Sequence, residues 1–103
     1  AGNRVGGSNR SANGVDVGEH HIYLAAGDGL VILDKNNTYT NANGNICNRM
    51  IKRLFYTGCA ATKVTNNTDV KQSANFVKKG PDGRIYVAYG MYGLQIYDLG
   101  ITE

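Results

Sequence analysis

Short apolar runs separated by turn-forming residues make up most of the chain. Residues 22–26 and 85–89 are almost continuously apolar and do not alternate with polar side chains, which is typical of strands covered on both faces. A second apolar run, at residues 30–34 and 94–98, follows each of them across a turn of sequence GDG or GMYG. Glycine-rich turns of this kind join antiparallel strands. The pattern therefore predicts two β-hairpins.

The two hairpins belong to an internal repeat. The sequence SANGVDVGEHHIYLAAGDGLVILD at residues 11–34 aligns with SANFVKKGPDGRIYVAYGMYGLQIYD at residues 73–98 when Gly83 and Tyr92 are treated as insertions. Thirteen of the 24 residues in the first copy are then identical in the second. The small residues that open each copy predict a further strand, in a place where strands crowd together. Each copy thus predicts three antiparallel strands.

Residues 49–56 predict a fourth, outer strand in the first copy. Basic side chains mix there with apolar and aromatic ones, as on an edge strand whose charged side faces solvent and resists stray pairing. A helix is the alternative for this segment. The Asn-rich residues 36–45, which precede it, predict a polar surface loop. Four-stranded antiparallel units repeated along a chain describe the blades of a β-propeller, with a β-sandwich as the main alternative.

The return strand of each hairpin resembles the signature of a known repeat family. The sequence GLVILD at residues 29–34 looks like the motif that names the LVIVD-repeat β-propellers, and GLQIYD at residues 93–98 is a looser version. The SANxV opening is similar to a variant found in surface and secreted proteins of Bacteroidetes. The resemblance covers about half of the chain. The family's usual proline-containing link after the motif is absent here.

The resemblance implies an all-β fold of antiparallel four-stranded propeller-type blades, of which this chain holds about two. We expect a flexible lead-in at residues 1–10, a first blade at 11–58, a connecting loop at 59–72 and a second, incomplete blade at 73–103. A closed ring holds roughly four to eight blades. We therefore expect the remaining blades to come from a longer chain or from self-association. The family also implies an extracytoplasmic location, at the cell surface, in the periplasm or secreted.

The distribution of charge and the lack of catalytic motifs argue against several classes of function. The net charge is +3, from 11 basic and 8 acidic residues, and the basic residues are scattered instead of forming a stripe with aromatics, which argues against a nucleic-acid partner. No apolar run approaches the length of a membrane span. The sequence contains no nucleophile elbow, no phosphate loop and no close Cys–His pair, and the family brings no catalytic residues. We predict a protein that is not an enzyme and carries no cofactor.

Two residue pairs are of a type that supports metal or redox chemistry. His20 and His21 are adjacent, so on a strand they point to opposite faces and are poorly placed to share one metal. Cys47 and Cys59 lie 12 positions apart, which is not a close metal-ligand spacing. Buried thiols, a disulfide and, least favoured, a shared metal site remain open for the cysteines. We predict no metal site.

The second hairpin turn holds the best candidates for recognition, Tyr89, Met91 and Tyr92. Exposed aromatics there would stack on sugar rings or anchor a protein partner. The alternative is that Tyr89 packs between repeats and Tyr92 ends a turn. Asp28, in the corresponding turn of the first copy, completes the candidate set. The predicted function is a non-catalytic module that binds a glycan or protein ligand at the cell envelope, with a purely structural scaffold segment as the alternative.

Overall fold

The computed structural model describes residues 2–56 and 73–100. This part of the chain forms seven strands: β1 (Ala12–Val17), β2 (His21–Ala26), β3 (Gly29–Thr40), β4 (Ile46–Phe55), β5 (Phe76–Lys79), β6 (Ile85–Ala88) and β7 (Leu94–Tyr97). Strands β1 to β4 form an antiparallel sheet in sequence order, here the first sheet, and β5 to β7 form an antiparallel second sheet. The prediction of an all-β, antiparallel fold is confirmed, although the described strands do not join into a closed sheet. None of the described residues forms a helix long and apolar enough to cross a membrane.

Both hairpins turn where the sequence predicts. Gly27 and Asp28 link β2 to β3 in a two-residue turn. A single 3-10 turn, Gly90–Tyr92, links β6 to β7. Residues 49–55 lie in β4, at the edge of the first sheet, so the prediction of an outer strand is confirmed and the helix alternative is wrong.

The Asn-rich segment is where sequence and structure disagree. The sequence predicts a loop at residues 36–45, but β3 continues to Thr40 and its last residues pair with the start of β4. A register shift between Leu33 and Thr38 separates this extension from the core part of the strand. Residues 35–40 are exposed. A hairpin extension surrounded by solvent needs no apolar face, so its polar sequence carries no strand pattern.

The two sheets pack against each other, and the repeat identifies the two faces that meet. We call the front face of each sheet the side that carries Tyr, Ala, Leu and Ile at matching positions: Tyr23, Ala25, Leu30 and Ile32 in the first sheet, and Tyr86, Ala88, Leu94 and Ile96 in the second. The four side chains of the first sheet are completely buried against residues from the opposite, back face of the second sheet, chiefly Val77, Ile85 and Val87. The sheets therefore stack front to back. Their opening strands run in the same direction, because Asn13 bonds to Ala74 before β5 and Asp16 accepts from the Lys79 N–H at the end of β5.

The opening strands of the two copies lie close together, as their small residues predict. The side-chain amide of Asn13 donates to the Ser73 hydroxyl at 3.1 Å and to the Ala74 carbonyl at 2.6 Å. A methyl group added to Gly14 would lie 3.3 Å from the Cα atom of Phe76. Gly14 thus lets the backbone of the second sheet approach the first.

Residues 2–10, the predicted lead-in, form no strand but are tied to the first sheet by Asn48. The Asn48 N–H donates to the Gly7 carbonyl at 2.8 Å, and the Asn48 side-chain oxygen accepts from the Gly7 N–H at 2.9 Å. The Asn48 amide nitrogen donates to the Asp34 carbonyl at 2.8 Å. One nearly buried side chain therefore joins the lead-in to β3 and β4.

Candidate functional site

The turns of the two hairpins lie at the same end of the stacked sheets, because the repeats are stacked in the same orientation. The turn of the first sheet presents Asp28, and the turn of the second sheet presents Met91 and Tyr92. Tyr56, which follows β4, contacts the second turn: its ring centroid is 5.8 Å from that of Tyr92, and its hydroxyl donates to the Tyr92 carbonyl at 2.9 Å. The structure therefore brings the predicted recognition residues to one end of the molecule.

Asp28 is held in place by an ion pair with Arg53 of β4. The Arg53 guanidinium also lies over the ring of Phe55, 4.7 Å from its centroid. Both members of the pair are partly exposed, so water screens their attraction and their contribution to stability is small, about 0–1 kcal/mol. The pair orients a carboxylate and a guanidinium at the rim of the turns.

Tyr89 belongs to the core and not to the exposed surface. Its side chain is 1% exposed and packs between the sheets. This agrees with the alternative prediction that Tyr89 packs between the repeats. Its ring lies 4.9 Å from that of Tyr56, and its hydroxyl is 3.2 Å from the hydroxyl of Tyr97. The Tyr97 hydroxyl in turn donates a hydrogen bond to the Phe55 carbonyl at 3.1 Å. We refer to Tyr56, Tyr89, Tyr92 and Tyr97 as the tyrosine cluster.

Burial shifts the acidity of two members of the tyrosine cluster. Loss of solvent and, next, the hydrogen bond with Tyr97 raise the pKa of Tyr89 well above its ordinary value of 10.0. Loss of solvent also raises the pKa of Tyr97. Both phenols therefore stay protonated at neutral pH and act as hydrogen-bonding, space-filling groups beneath the turns.

Met91 is the most exposed apolar residue of the candidate set. Its side chain is 91% exposed at the tip of the second turn. Tyr92 beside it is partly buried and packs on Tyr56 and on the buried core. We call Asp28, Arg53, Met91 and Tyr92 the turn surface: an exposed thioether, an aromatic ring and an ion pair beside the partly buried ring of Tyr56 and the buried ring of Tyr89.

Sequence reasoning missed three residues that shape this end of the molecule. Arg53 was seen only as a charge on an outer strand, because its pairing with Asp28 depends on the register of β3 and β4. Tyr56 and Tyr97 were not singled out. The alternation of β7 held a signal for Tyr97, since every second residue of that strand faces the first sheet.

The cysteines and histidines do not join the turn surface. Cys47 is buried in β4, whereas Cys59 lies outside the described residues, so a disulfide between them stays a prediction. The predicted connecting loop at residues 59–72 also lies outside the described part of the chain. Within the described part, no group of three or more His, Cys, Asp or Glu side chains is placed to hold a metal ion.

Comparisons of the chain with protein family models, with curated proteins and with solved structures found no match. The resemblance to the LVIVD-repeat propellers therefore rests on the quoted motifs alone.

Proposed function

We propose that this chain is a non-catalytic, propeller-type repeat module that binds a glycan or protein ligand at the cell envelope through its turn surface. The observation that carries the proposal is the gathering of both hairpin turns at one end, with Met91 exposed beside the tyrosine cluster. The extracytoplasmic location follows from the resemblance to the LVIVD repeats.

Front-to-back stacking supports a propeller-type arrangement over a sandwich of two equivalent sheets. In a β-sandwich the inner faces of the two sheets pack against each other, so a twofold arrangement of repeats would bring two front faces together. Here the front face of the first sheet meets the back face of the second. Such a stack can be continued by further units in the same orientation, as in repeat proteins and propellers.

The chemistry of the turn surface supports a binding role. Loops on a rigid scaffold are where recognition residues concentrate. Methionine adapts its shape to varied partners, and tyrosine offers a broad apolar ring at low entropic cost. The Asp28–Arg53 pair adds a donor and an acceptor for a polar ligand. Sugar rings and peptide side chains both match this combination.

A structural scaffold segment of a larger envelope assembly is the second candidate, and the front face of the second sheet favours it. Leu94 and Ile96 on that face are about half exposed. Exposed apolar side chains grouped on one face favour a surface that another protein element covers. Under either function we expect the chain to work beside further repeats, from a longer polypeptide or from other copies.

Glycan and peptide arrays probed with the chain test the binding proposal. We expect Met91→Ala to weaken the strongest array signal roughly tenfold, the loss typical of a central contact residue. Tyr92→Phe removes only the hydroxyl and separates a polar contact from ring stacking. Tyr89→Ala is unsuitable, because it would leave a cavity in the core.

Tyr39→Ala is the matched control for this experiment. Tyr39 is a partly exposed tyrosine on the β3 extension, where it stacks on Arg49. It controls for Met91 and Tyr92 but not for Asp28, which lines the same cleft as Tyr39. Binding that Tyr39→Ala leaves intact and Met91→Ala reduces supports the proposal. Binding that neither Met91→Ala nor Tyr92→Phe changes, or the absence of any glycan or peptide signal, would count against it and favour the scaffold.

A further inference from the structure

The interface between the two sheets provides a template for a second interface. Within the chain, a front face made by Tyr23, Ala25, Leu30 and Ile32 is completely covered by a back face. The front face of the second sheet carries the same four residue types at the matching positions, Tyr86, Ala88, Leu94 and Ile96. Four positions of a surface that is buried once in the molecule are thus present a second time, whereas Phe76 and Lys78 replace Gly14 and Asp16 on the second front face.

No described element buries this second front face. The exposed fractions are 58% for Phe76, 53% for Leu94 and 51% for Ile96, all on the same side of β5 and β7. Their counterparts Leu30 and Ile32 are fully buried. Leu94 and Ile96 are the same residue types as Leu30 and Ile32, so the difference in exposure comes from their surroundings.

The complementary back face lies on the other side of the molecule, on the first sheet. Val77, which covers the front face inside the chain, corresponds to Val15 of β1. Val15 and its neighbour Val17 are both more than half exposed. Their cross-strand partners Leu24 and Ile22 belong to a second core cluster on that face. The molecule therefore presents an open front face on one side and, on the other, a back face that is exposed at Val15 and Val17 but buried at Leu24, Val31 and Leu33.

Phe76 is the bulky residue of the second front face for which the internal interface has no counterpart. Phe76 occupies the position of Gly14, where the internal interface has no side chain. A cleft of about 490 Å³ lies on the back face of the first sheet, between the lead-in and the sheet, with Ala12, Ile22 and Leu24 in its wall. Stacking in the internal orientation would set Phe76 over residues 13–14 of a neighbour, beside that cleft.

We infer that the front face of the second sheet binds the back face of the first sheet in another copy of this chain, with Phe76 directed into the cleft beside Ala12. The contact is heterologous, since two different surfaces meet, and it closes into a ring or continues as a filament according to the rotation between copies. It rests on the proposed stacking of repeats and not on ligand binding by the turn surface.

Sedimentation of two single-face variants and their mixture tests this contact. Ile96→Lys places a charge on the open front face, and Val15→Lys places one on the open back face. We expect the wild type to sediment above the monomer at micromolar concentration and each variant alone to be monomeric. An equimolar mixture should form a dimer and nothing larger, because each variant supplies the intact face that the other lacks.

Three other outcomes would overturn the inference. They are a monomeric wild type at every concentration, assembly that neither variant reduces, and loss of assembly in Ile96→Lys alone, which would indicate front-to-front pairing. Asn37→Lys, on the exposed β3 extension, controls for the added charge and should assemble like the wild type. Leu94→Lys and Val17→Lys are second variants of the same two faces if a first variant unfolds, as judged by circular dichroism. Array binding by an obligate monomer would refute this contact while leaving the ligand proposal intact.

Discussion

Gly29 is the residue at which the first hairpin turn tolerates least change. It opens β3 with a φ of +152°, a backbone conformation that residues with a Cβ atom rarely adopt. A Cβ atom built there would also collide with the carbonyl oxygen of Leu54 on β4. The position combines a conformational requirement with a steric one, and the steric one follows from the close pairing of β3 with β4.

We expect Gly29→Ala to destabilise the fold by about 1–3 kcal/mol, since it adds backbone strain to an overpacked contact. Gly27→Ala is the matched control in the same turn, because a Cβ atom there meets only Ser11 at an ordinary distance, 3.4 Å to the hydroxyl oxygen. The control should change stability by less than about 0.5 kcal/mol. Urea unfolding measures both variants, and equal losses would contradict the steric argument.

Because of the tyrosine cluster, the stability of the fold should vary with pH in the alkaline range. Burial raises the pKa of Tyr89 and Tyr97 in the folded chain above the ordinary value of 10.0 that applies when it unfolds. Their contribution is therefore complete below about pH 10 and is lost as pH rises toward the folded-state pKa values, because the unfolded chain then releases protons that the folded chain retains.

Urea midpoints measured from pH 8 to 11 should be level at first and then fall above about pH 10. Tyr89→Phe should lower the neutral-pH stability by about 0.5–1.5 kcal/mol, the net worth of a hydrogen bond, and make the alkaline fall shallower. An equally steep fall in Tyr89→Phe would show that other groups cause it.

At the scale of strands, one pair of equivalent leucines shows that the same residue type can be buried in one sheet and exposed in the other. Leu30 and Leu94 occupy the same position of the repeat, but Leu30 is fully buried and Leu94 is about half exposed. Leu30→Ala should cost about 2–5 kcal/mol, as expected for a cavity in a packed core. Leu94→Ala should cost less than about 1 kcal/mol in dilute solution, since half of its surface already contacts water. Chemical unfolding at low concentration compares them, and similar losses would mean that the second front face is covered.

Those two leucines also show how far the sequence could predict the strands. Periodicity and the repeat predicted the hairpins, the turns at Gly27 and Gly90, and the outer strand β4. They did not predict which faces meet, because identical residues lie on a buried face and on an open one. That choice depends on how the two sheets stack, which is a property of tertiary packing and not of local pattern.

Some residues of the candidate site could be predicted from the sequence and others could not. Asp28, Met91 and Tyr92 were predicted from turn composition, and the structure places them at one end. Tyr89 was predicted beside them, but alternation along β6 continues into it and turns its ring toward the first sheet. Arg53 could not be assigned, since the register that brings it to Asp28 includes two irregularities between β3 and β4.

For the whole molecule, the open front face limits the stability of an isolated chain. Burying a large apolar side chain completely is worth about 1.5–3 kcal/mol. Phe76, Leu94 and Ile96 are each about half exposed, so together they leave roughly 2–4 kcal/mol of burial unrealised. That amount is a large part of the stability of a small domain, about 5–15 kcal/mol. Association of copies through this face would recover it.

The thermal midpoint should therefore rise with the concentration of the chain, because a partner that binds only the folded state stabilises it by mass action. Ile96→Lys should remove this dependence and give one midpoint at every concentration, close to that of the wild type at high dilution. Asn37→Lys should keep the dependence, since it adds the same charge away from both faces. Midpoints from differential scanning calorimetry over a hundredfold range of concentration, roughly the span needed to resolve such a shift, make the comparison. A wild-type midpoint that stays constant over that range would show that the half-exposed side chains of the second sheet are tolerated in water without a partner.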